Sequence, residues 1–228
     1  MTLQSTFKKQ FSCEFSAPKS EEASAKLLAA HDRLAALSPE YFSVTYGAGG
    51  STKDGTKQAV LDIRAKGSDV APHLSFGGDS ADKIEALLNE YKSADVTRVV
   101  ALRGDTPSGT GGSVNLTYAN ELVEFIRQKT GDHFHIEVAA YPEVHPDSRS
   151  VESDLNFFKA KVDAGADSAI TQYFYNGAAY FNFIDACEKK GISIPIVPGI
   201  MPISNFQTLI RFSDMCGADI PRWIRKNL

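Results

Sequence analysis

The chain has 228 residues, of which 43% are hydrophobic, 23% charged and 10% aromatic, and its formal net charge is −4. This composition is typical of a globular protein with a substantial core and excludes a disordered or fibrous one. The net charge gives no general attraction to phosphate backbones or anionic membranes, so we expect neither nucleic acid nor a membrane as a partner. Three widely separated cysteines and an N-terminus without an apolar segment fit a reducing, cytoplasmic location.

Short runs rich in β-branched and aromatic residues recur along the chain and predict seven strands, which begin 27 to 38 residues apart. Each interval is long enough for one strand, one helix and two turns. The predicted strands are Phe11–Phe15, Tyr41–Tyr46, Asp69–Ser75, Val96–Arg103, Phe134–Tyr141, Asp167–Tyr173 and Ile194–Ile200.

Helical patterns lie between these runs, and Ser20, Gly131 and Gly191 stand where helix caps are expected. The uninterrupted alternation predicts an α/β fold with a parallel sheet, in one domain over 1–228. The absence of G-x-G-x-x-G after the first strand favours a (β/α)8 TIM-type barrel over an open doubly wound sheet. The helical patterns include Glu21–Leu37, Ala81–Ser93, Tyr118–Lys129, Ser153–Ala164 and Tyr180–Lys190.

Seven β/α units are visible and an eighth is missing, because the segment 221–228 is too short for another helix and strand. An open barrel would leave two uncovered sheet edges, through which copies of the chain are expected to associate into a homo-oligomer.

Polar side chains stand near the carboxyl end of six predicted strands, where the chemistry of such barrels is found. Each alone has a structural alternative: His73, for example, could be a hydrogen-bonded core residue. Together they predict a ligand site, because a ring of polar groups is costly to desolvate without a partner. The residues are Glu14, Thr45, His73, Arg103, Asp105, Tyr141, His145 and Gln172.

Glu14 lies in the otherwise apolar run Phe11–Phe15, where a carboxyl group is expected to resist ionisation and could act as a general acid. A buried ion pair is the structural alternative. Asp105 could form a local salt bridge with Arg103. Lys161 could form a Schiff base, as in barrel aldolases, but it falls on a predicted helix.

No metal site is predicted, because His133 and His135 have no third ligand at suitable spacing. The aromatic segment Tyr173–Tyr175 is read either as core packing or as the wall of a site for a flat ligand. The glycine-rich segment Gly104–Gly112 is read as a lid or as a variable surface loop.

The motifs at the strand ends closely resemble those of one family, the bacterial-type methylenetetrahydrofolate reductases, which are FAD-dependent (β/α)8 barrels. The match runs nearly end to end, and seven motifs in order make it specific. They are Phe11–Phe15, Ser43–Ala48, Ala71–Leu74, Val100–Asp105, Ala139–Pro146, Ala169–Gln172 and Pro198–Phe206.

This resemblance implies a bound FAD that takes hydride from NADH or NADPH and reduces 5,10-methylenetetrahydrofolate to 5-methyltetrahydrofolate, in one-carbon metabolism feeding methionine synthesis. It implies Glu14 as the acid that helps to open the folate ring, Asp105 near flavin and pterin, and Gln172 on the folate. The flavin contacts that it implies are Thr45, Tyr46, Ala48, His73, Arg103, Gly104, Asp105, Tyr118, Tyr141, His145, Asp154 and Lys161.

The chain also departs from the family pattern. Phe157 and Ala160 stand where the family tends to carry Asn and Arg, and Thr208 stands where a folate-contacting Gln is usual, although Phe212 is retained. The closing C-terminal helix and strand, with a folate-binding Arg, are missing. Two alternatives to an active reductase therefore stay open: a non-catalytic flavin- or folate-binding remnant of the barrel, and a barrel lyase using Lys161.

Overall fold

The computed structural model describes residues 10–46, 53–76, 79–103 and 118–228. The chain divides into two compact units, an N-terminal unit of Met1–Thr117 and a C-terminal unit of Tyr118–Leu228.

The N-terminal unit alternates strands with helices. Its strands pair in parallel and in sequence order, and Glu14 is paired with Ser43, Ser43 with Ala71, and His73 with Val100. The elements are β1 (Cys13–Phe15), α1 (Glu21–Ala35), β2 (Phe42–Val44), α2 (Lys53–Ala65), β3 (Val70–Leu74), α3 (Ala81–Ser93) and β4 (Arg98–Ala101).

Local sequence explains how these elements begin and pack. The hydroxyl of Ser20 accepts a hydrogen bond of 3.2 Å from the backbone of Ala23 and caps α1, as predicted. In α2, a Cβ at Gly55 would collide with the carbonyl oxygen of Pro18, so the close approach there requires glycine. The core of the unit consists of apolar side chains from strands and helices, among them Phe42, Ile63, Leu74, Ile84 and Leu88.

The C-terminal unit continues the alternation, and its strands β5, β6 and β7 pair in parallel. Its elements are α4 (Ala119–Thr130), β5 (His135–Ala140), α5 (Val151–Asp163), β6 (Ser168–Thr171), α6 (Gly177–Lys189), β7 (Ile196–Val197), α7 (Phe206–Cys216) and α8 (Arg222–Asn227).

The end of α7 is fixed by glycine and by packing. Gly217 adopts the left-handed conformation, with φ of 74°, and its N–H bonds to the carbonyl of Ser213. The chain then turns so that Ala218, Ile220 and Ile224 pack on Tyr173 and Leu209. This cluster seats α7 and α8 against the end of β6.

The predicted α/β class is confirmed, since all seven strands occur in the predicted order and their pairs within each unit are parallel. Strands are shorter than predicted because the apolar runs extend into turns. Within the described ranges there is no eighth strand, and residues 221–228 hold only the short helix α8. No helix found there is both long and apolar enough to cross a bilayer.

Candidate functional site

The carboxyl ends of β1, β2 and β3 bring Glu14, Ser43 and His73 together. Parallel pairing places Glu14 opposite Ser43, and the side chain of Ser43 hydrogen-bonds to the carboxylate. Nε2 of His73 lies 3.3 Å from Oε2 of Glu14. The imidazole is 10% exposed and the Glu14 side chain 53% exposed, so an accessible carboxylate rests on a buried ring.

The electrostatics of Glu14 differ from the sequence-based expectation. Partial burial acts to raise the pKa of Glu14, but the attraction of the adjacent His73 ring, together with the Ser43 hydroxyl, outweighs it and holds this pKa below its ordinary value. The prediction that Glu14 resists ionisation is therefore wrong for this structure. The apolar residues beside it in β1 suggested desolvation, but its environment is set by two neighbouring strands.

Two buried polar atoms near these strand ends have no hydrogen-bond partner within the described ranges: Oη of Tyr46 and Nε2 of His73. Nε2 of His73 therefore approaches Oε2 of Glu14 at 3.3 Å without the alignment of a hydrogen bond. Burial, aided by the charge of Asp54, raises the pKa of Tyr46 to about 12, so its phenol stays protonated. Unpartnered buried groups of this kind fit a ligand that supplies the missing partners.

Thr45, also predicted at the site, follows β2 directly. Its Oγ1 accepts a hydrogen bond of 3.1 Å from the backbone of Ala17, and its carbonyl accepts one of 2.8 Å from Thr56. Thr45 therefore fastens the turn after β1 to β2. Arg103 lies two residues beyond β4 and is exposed. Ala48, Gly104 and Asp105 lie outside the described residues.

In the C-terminal unit, Tyr141 and His145 lie in the segment between β5 and α5, and Asp154 lies in the first turn of α5. The Asp154 carboxylate accepts hydrogen bonds from the backbone of His145 (3.2 Å) and from the hydroxyl of Ser148 (2.8 Å). Nδ1 of His145 accepts one of 3.0 Å from the backbone of Asp147. A neutral His145 must then carry its proton on Nε2, which makes that nitrogen a donor. Its ring meets Tyr141 edge-on, with centroids 4.5 Å apart.

Lys161 lies on α5, as predicted, and its amine donates to the carbonyl oxygen of Ala139 in β5. Nζ also stands 5.5 Å from the ring centroid of Phe158. Burial lowers the pKa of Lys161 to about 8, against the opposing charge of Asp154. The amine is thus a cation at neutral pH that loses its charge in mild alkali.

Tyr118 and Phe157 form an exposed stacked pair, with ring centroids 6.3 Å apart and planes 14° from parallel. The rings are 49% and 53% exposed. Tyr118 is predicted at the flavin site, whereas Phe157 is one of the departures from the family pattern. Phe157 therefore adds an exposed aromatic surface beside Tyr118, where the resemblance leads us to expect a polar side chain.

The predicted substrate residues lie directly after β6 and on α7. Oε1 of Gln172 accepts a hydrogen bond of 3.0 Å from the backbone of Tyr173, which fixes the orientation of its amide. Thr208 is in the first turn of α7, where its N–H bonds to the Asn205 side chain (2.9 Å). Phe212 follows one turn later on the same face and is 49% exposed.

Sequence reasoning missed two polar residues of these strand ends, Ser43 and Ser148. Ser43 could have been found from strand alternation, since it precedes Thr45 by two residues and so shares its face. No sequence pattern marks Ser148. Within the described residues no group of three His, Cys, Asp or Glu side chains could hold a metal ion.

Comparison with known proteins gives consistent results. The family model described as methylenetetrahydrofolate reductase matches residues 2–228. The 5,10-methylenetetrahydrofolate reductase of Escherichia coli K12 is 40% identical over 214 residues, which span 93% of this chain and 71% of that protein. The methylenetetrahydrofolate reductase (NADH) 1 of Arabidopsis thaliana is 40% identical over 229 residues, covering 92% of this chain and 38% of that protein.

A solved structure of 2,3-dimethylmalate lyase, a member of the PEP mutase/isocitrate lyase superfamily, aligns with a TM-score of 0.56. The alignment covers 90% of this chain and 79% of the lyase, at 12% sequence identity. At that identity the likeness supports the fold alone.

Proposed function

The chain belongs to the methylenetetrahydrofolate reductase family, and we propose that it reduces 5,10-methylenetetrahydrofolate to 5-methyltetrahydrofolate with FAD and a nicotinamide cofactor. One observation of the structure supports this most directly. Three neighbouring strands bring the half-exposed carboxylate of Glu14 against the buried imidazole of His73 and the hydroxyl of Ser43. Buried polar atoms without hydrogen-bond partners among the described residues lie at the same strand ends.

The residues of the N-terminal unit fit a flavin because they offer hydrogen-bond donors and acceptors that the protein leaves unused. Tyr46 has a protonated phenol and His73 a ring nitrogen, both buried, and an isoalloxazine or its ribityl chain carries matching groups. When bound, FAD supplies the hydride transfer. In the C-terminal unit, His145 Nε2 and the ammonium of Lys161 are cofactor contacts suited to oxygen acceptors and phosphate.

Glu14 is proposed as the proton donor that helps to open the five-membered ring of the folate. In the structure its pKa is lowered, so the carboxylate is ionised at neutral pH and must be protonated after ligands bind. Two changes favour this. A ligand over β1 removes water from the half-exposed carboxylate, and a ligand that engages His73 weakens the hold of the imidazole on Glu14; both raise the pKa of Glu14.

Gln172, with Thr208 and Phe212 of α7, is proposed to bind the folate. The oriented amide of Gln172 offers hydrogen bonds to a pterin, and the exposed ring of Phe212 offers a flat apolar surface. Residues 1–228 acting as one flavin-binding barrel domain, the cytoplasmic location and homo-oligomer formation stay predictions.

The first test is the absorbance spectrum of the purified protein, followed by turnover of methylenetetrahydrofolate with NADH and with NADPH in parallel. We expect flavin absorbance and reduction with at least one nicotinamide, and the name of the Arabidopsis relative favours NADH. A protein that binds FAD and folate yet never turns over would instead be the non-catalytic remnant. A colourless protein that traps a carbonyl compound on Lys161 would support the lyase.

A further inference from the structure

The turn that follows β5 contains a residue in an unfavourable backbone conformation. Val144 has φ of 69°, in the left-handed region, where β-branched side chains are rarely found. Such a conformation persists only where surrounding contacts impose it, and it is frequent at functional sites.

Part of the restraint is local. The N–H of Val144 bonds to the carbonyl of Tyr141 at 3.3 Å, and the next residue, His145, is tied to the Asp154 carboxylate. The first bond closes the turn on the N-terminal side of Val144, and the second holds the residue that follows it.

The remaining restraint comes from the C-terminal end of α7, 76 residues along the chain. Oε2 of Glu143 accepts a hydrogen bond of 2.9 Å from the backbone N–H of Asp219. Beside it, Gly217 lies so close to Pro146 that a Cβ there would stand 3.1 Å from the proline Cγ. A cavity of about 10 Å³ between the turn and α7 leaves room for no more than about one water molecule.

The conformation at Val144 determines where two predicted flavin contacts lie. Tyr141 precedes it and His145 follows it, and their rings touch edge-on across the turn. A change from positive to negative φ at Val144 would rotate the chain between them and separate the two rings. The half-buried carboxylate of Glu143 makes its one described hydrogen bond to Asp219.

We propose that Glu143 is a positioning residue, which ties the strained turn at Val144 to the end of α7 and so presents Tyr141 and His145 to the flavin. This proposal rests on the proposed function of the chain. Glu143 acts here through the backbone, without touching the cofactor. Its amide analogue should therefore serve nearly as well, because a Gln side chain keeps an oxygen that can accept from Asp219.

The test uses the purified full chain with Glu143→Ala, Glu143→Gln, Val144→Gly and the double variant Glu143→Ala/Val144→Gly. Glu188→Ala, an exposed glutamate on α6, is the matched control. Two quantities are measured for each protein: the dissociation constant for FAD, by titration, and hydrogen–deuterium exchange of the backbone amides in segments 141–148 and 217–220.

We expect Glu143→Ala to weaken FAD binding about tenfold, a loss at the lower end of the cost of one strained residue, and to speed exchange in both segments. Glu143→Gln and Glu188→Ala should stay within about threefold of the parent affinity, the size of ordinary surface effects. In the double variant, glycine reaches positive φ without help, so Val144→Gly should restore affinity to within about threefold.

Three results would overturn the proposal. Unchanged exchange in Glu143→Ala would mean that the contact with Asp219 holds nothing. A loss of affinity that Val144→Gly does not restore would mean that Glu143 acts on the ligand directly, and an equal loss in Glu143→Gln would mean that its charge is what counts. If no protein in the series binds FAD, the proposed cofactor is wrong, and the exchange data alone decide whether Glu143 restrains the turn.

Discussion

The strand ends of the two units differ in how far the protein satisfies its own polar groups. In the N-terminal unit, buried atoms of Tyr46 and His73 lack hydrogen-bond partners within the described ranges, and the Glu14 carboxylate is half-exposed. In the C-terminal unit, the Asp154 carboxylate accepts hydrogen bonds from the His145 backbone and the Ser148 hydroxyl, and the His145 ring accepts one from the backbone of Asp147. The first set depends on a ligand for its partners, whereas the second is held in position by the protein.

This difference has an energetic consequence. A buried polar group without a partner costs about 1–3 kcal/mol, and a ligand that pairs with it recovers that cost. Removing an unpartnered group should therefore weaken ligand binding but spare the ligand-free fold. Removing a satisfied group should destabilise the ligand-free fold itself.

The largest effect is expected at Glu14, the group proposed to give up a proton. Glu14→Gln keeps a side chain of the same shape but cannot protonate the folate. We expect the flavin to bind and to be reduced by the nicotinamide at nearly the parent rate, while the folate half-reaction slows about 10²–10⁴-fold. Stopped-flow measurement of each half-reaction separately tests this, and equal loss in both would show that Glu14 has only a structural role.

A variant of Asp154 tests whether the C-terminal unit is stabilised by its own hydrogen bonds. Asp154→Ala leaves the backbone N–H of His145 and the hydroxyl of Ser148 without their acceptor, so the free energy of unfolding without FAD should fall by about 1–3 kcal/mol. Asp185→Ala, an exposed acidic residue on α6, should change it by less than about 0.5 kcal/mol. Urea unfolding of both variants gives the comparison. Equal stability of the two would contradict the view that the C-terminal unit is held by its own hydrogen bonds.

The sequence predicted the elements well because they depend on local features. Strand periodicity, helix caps such as Ser20 and the position of Glu14 in β1 all depend on a few consecutive residues, so the sequence is enough to predict them. The ionisation of Glu14 was predicted wrongly because its controlling partners, Ser43 and His73, reach it through strand register. The tie between Glu143 and Asp219 could not be predicted at all, since it joins residues 76 positions apart through one backbone N–H.

The charge of Lys161 allows the proposed cofactor contact in the C-terminal unit to be tested by changing the pH. Its pKa of about 8 means that the amine is largely protonated at pH 7 and largely neutral at pH 9. If the ammonium holds FAD through phosphate, affinity for FAD should fall about tenfold over that range, following the protonated fraction. Lys161→Arg should remove the fall because a guanidinium stays protonated throughout. The same decline in both proteins would assign it to another group.

The smallest expected effect gives the most direct comparison of the two units, because one chemical change is made in each. Tyr46→Phe removes a buried hydroxyl without a partner, and Tyr180→Phe removes one that donates to the Ile196 carbonyl at 2.8 Å. Without FAD, we expect Tyr46→Phe to raise the free energy of unfolding by up to about 1 kcal/mol and Tyr180→Phe to lower it by about the same amount. Tyr46→Phe should also weaken the binding of FAD, because the ligand loses the hydroxyl that would pair with it. Tyr180→Phe should leave the affinity for FAD unchanged. Chemical denaturation and FAD titration of both variants measure the four values. If Tyr46→Phe destabilises the ligand-free protein as much as Tyr180→Phe does, the Tyr46 hydroxyl already has a partner in the protein, and the contrast between the units fails at that residue.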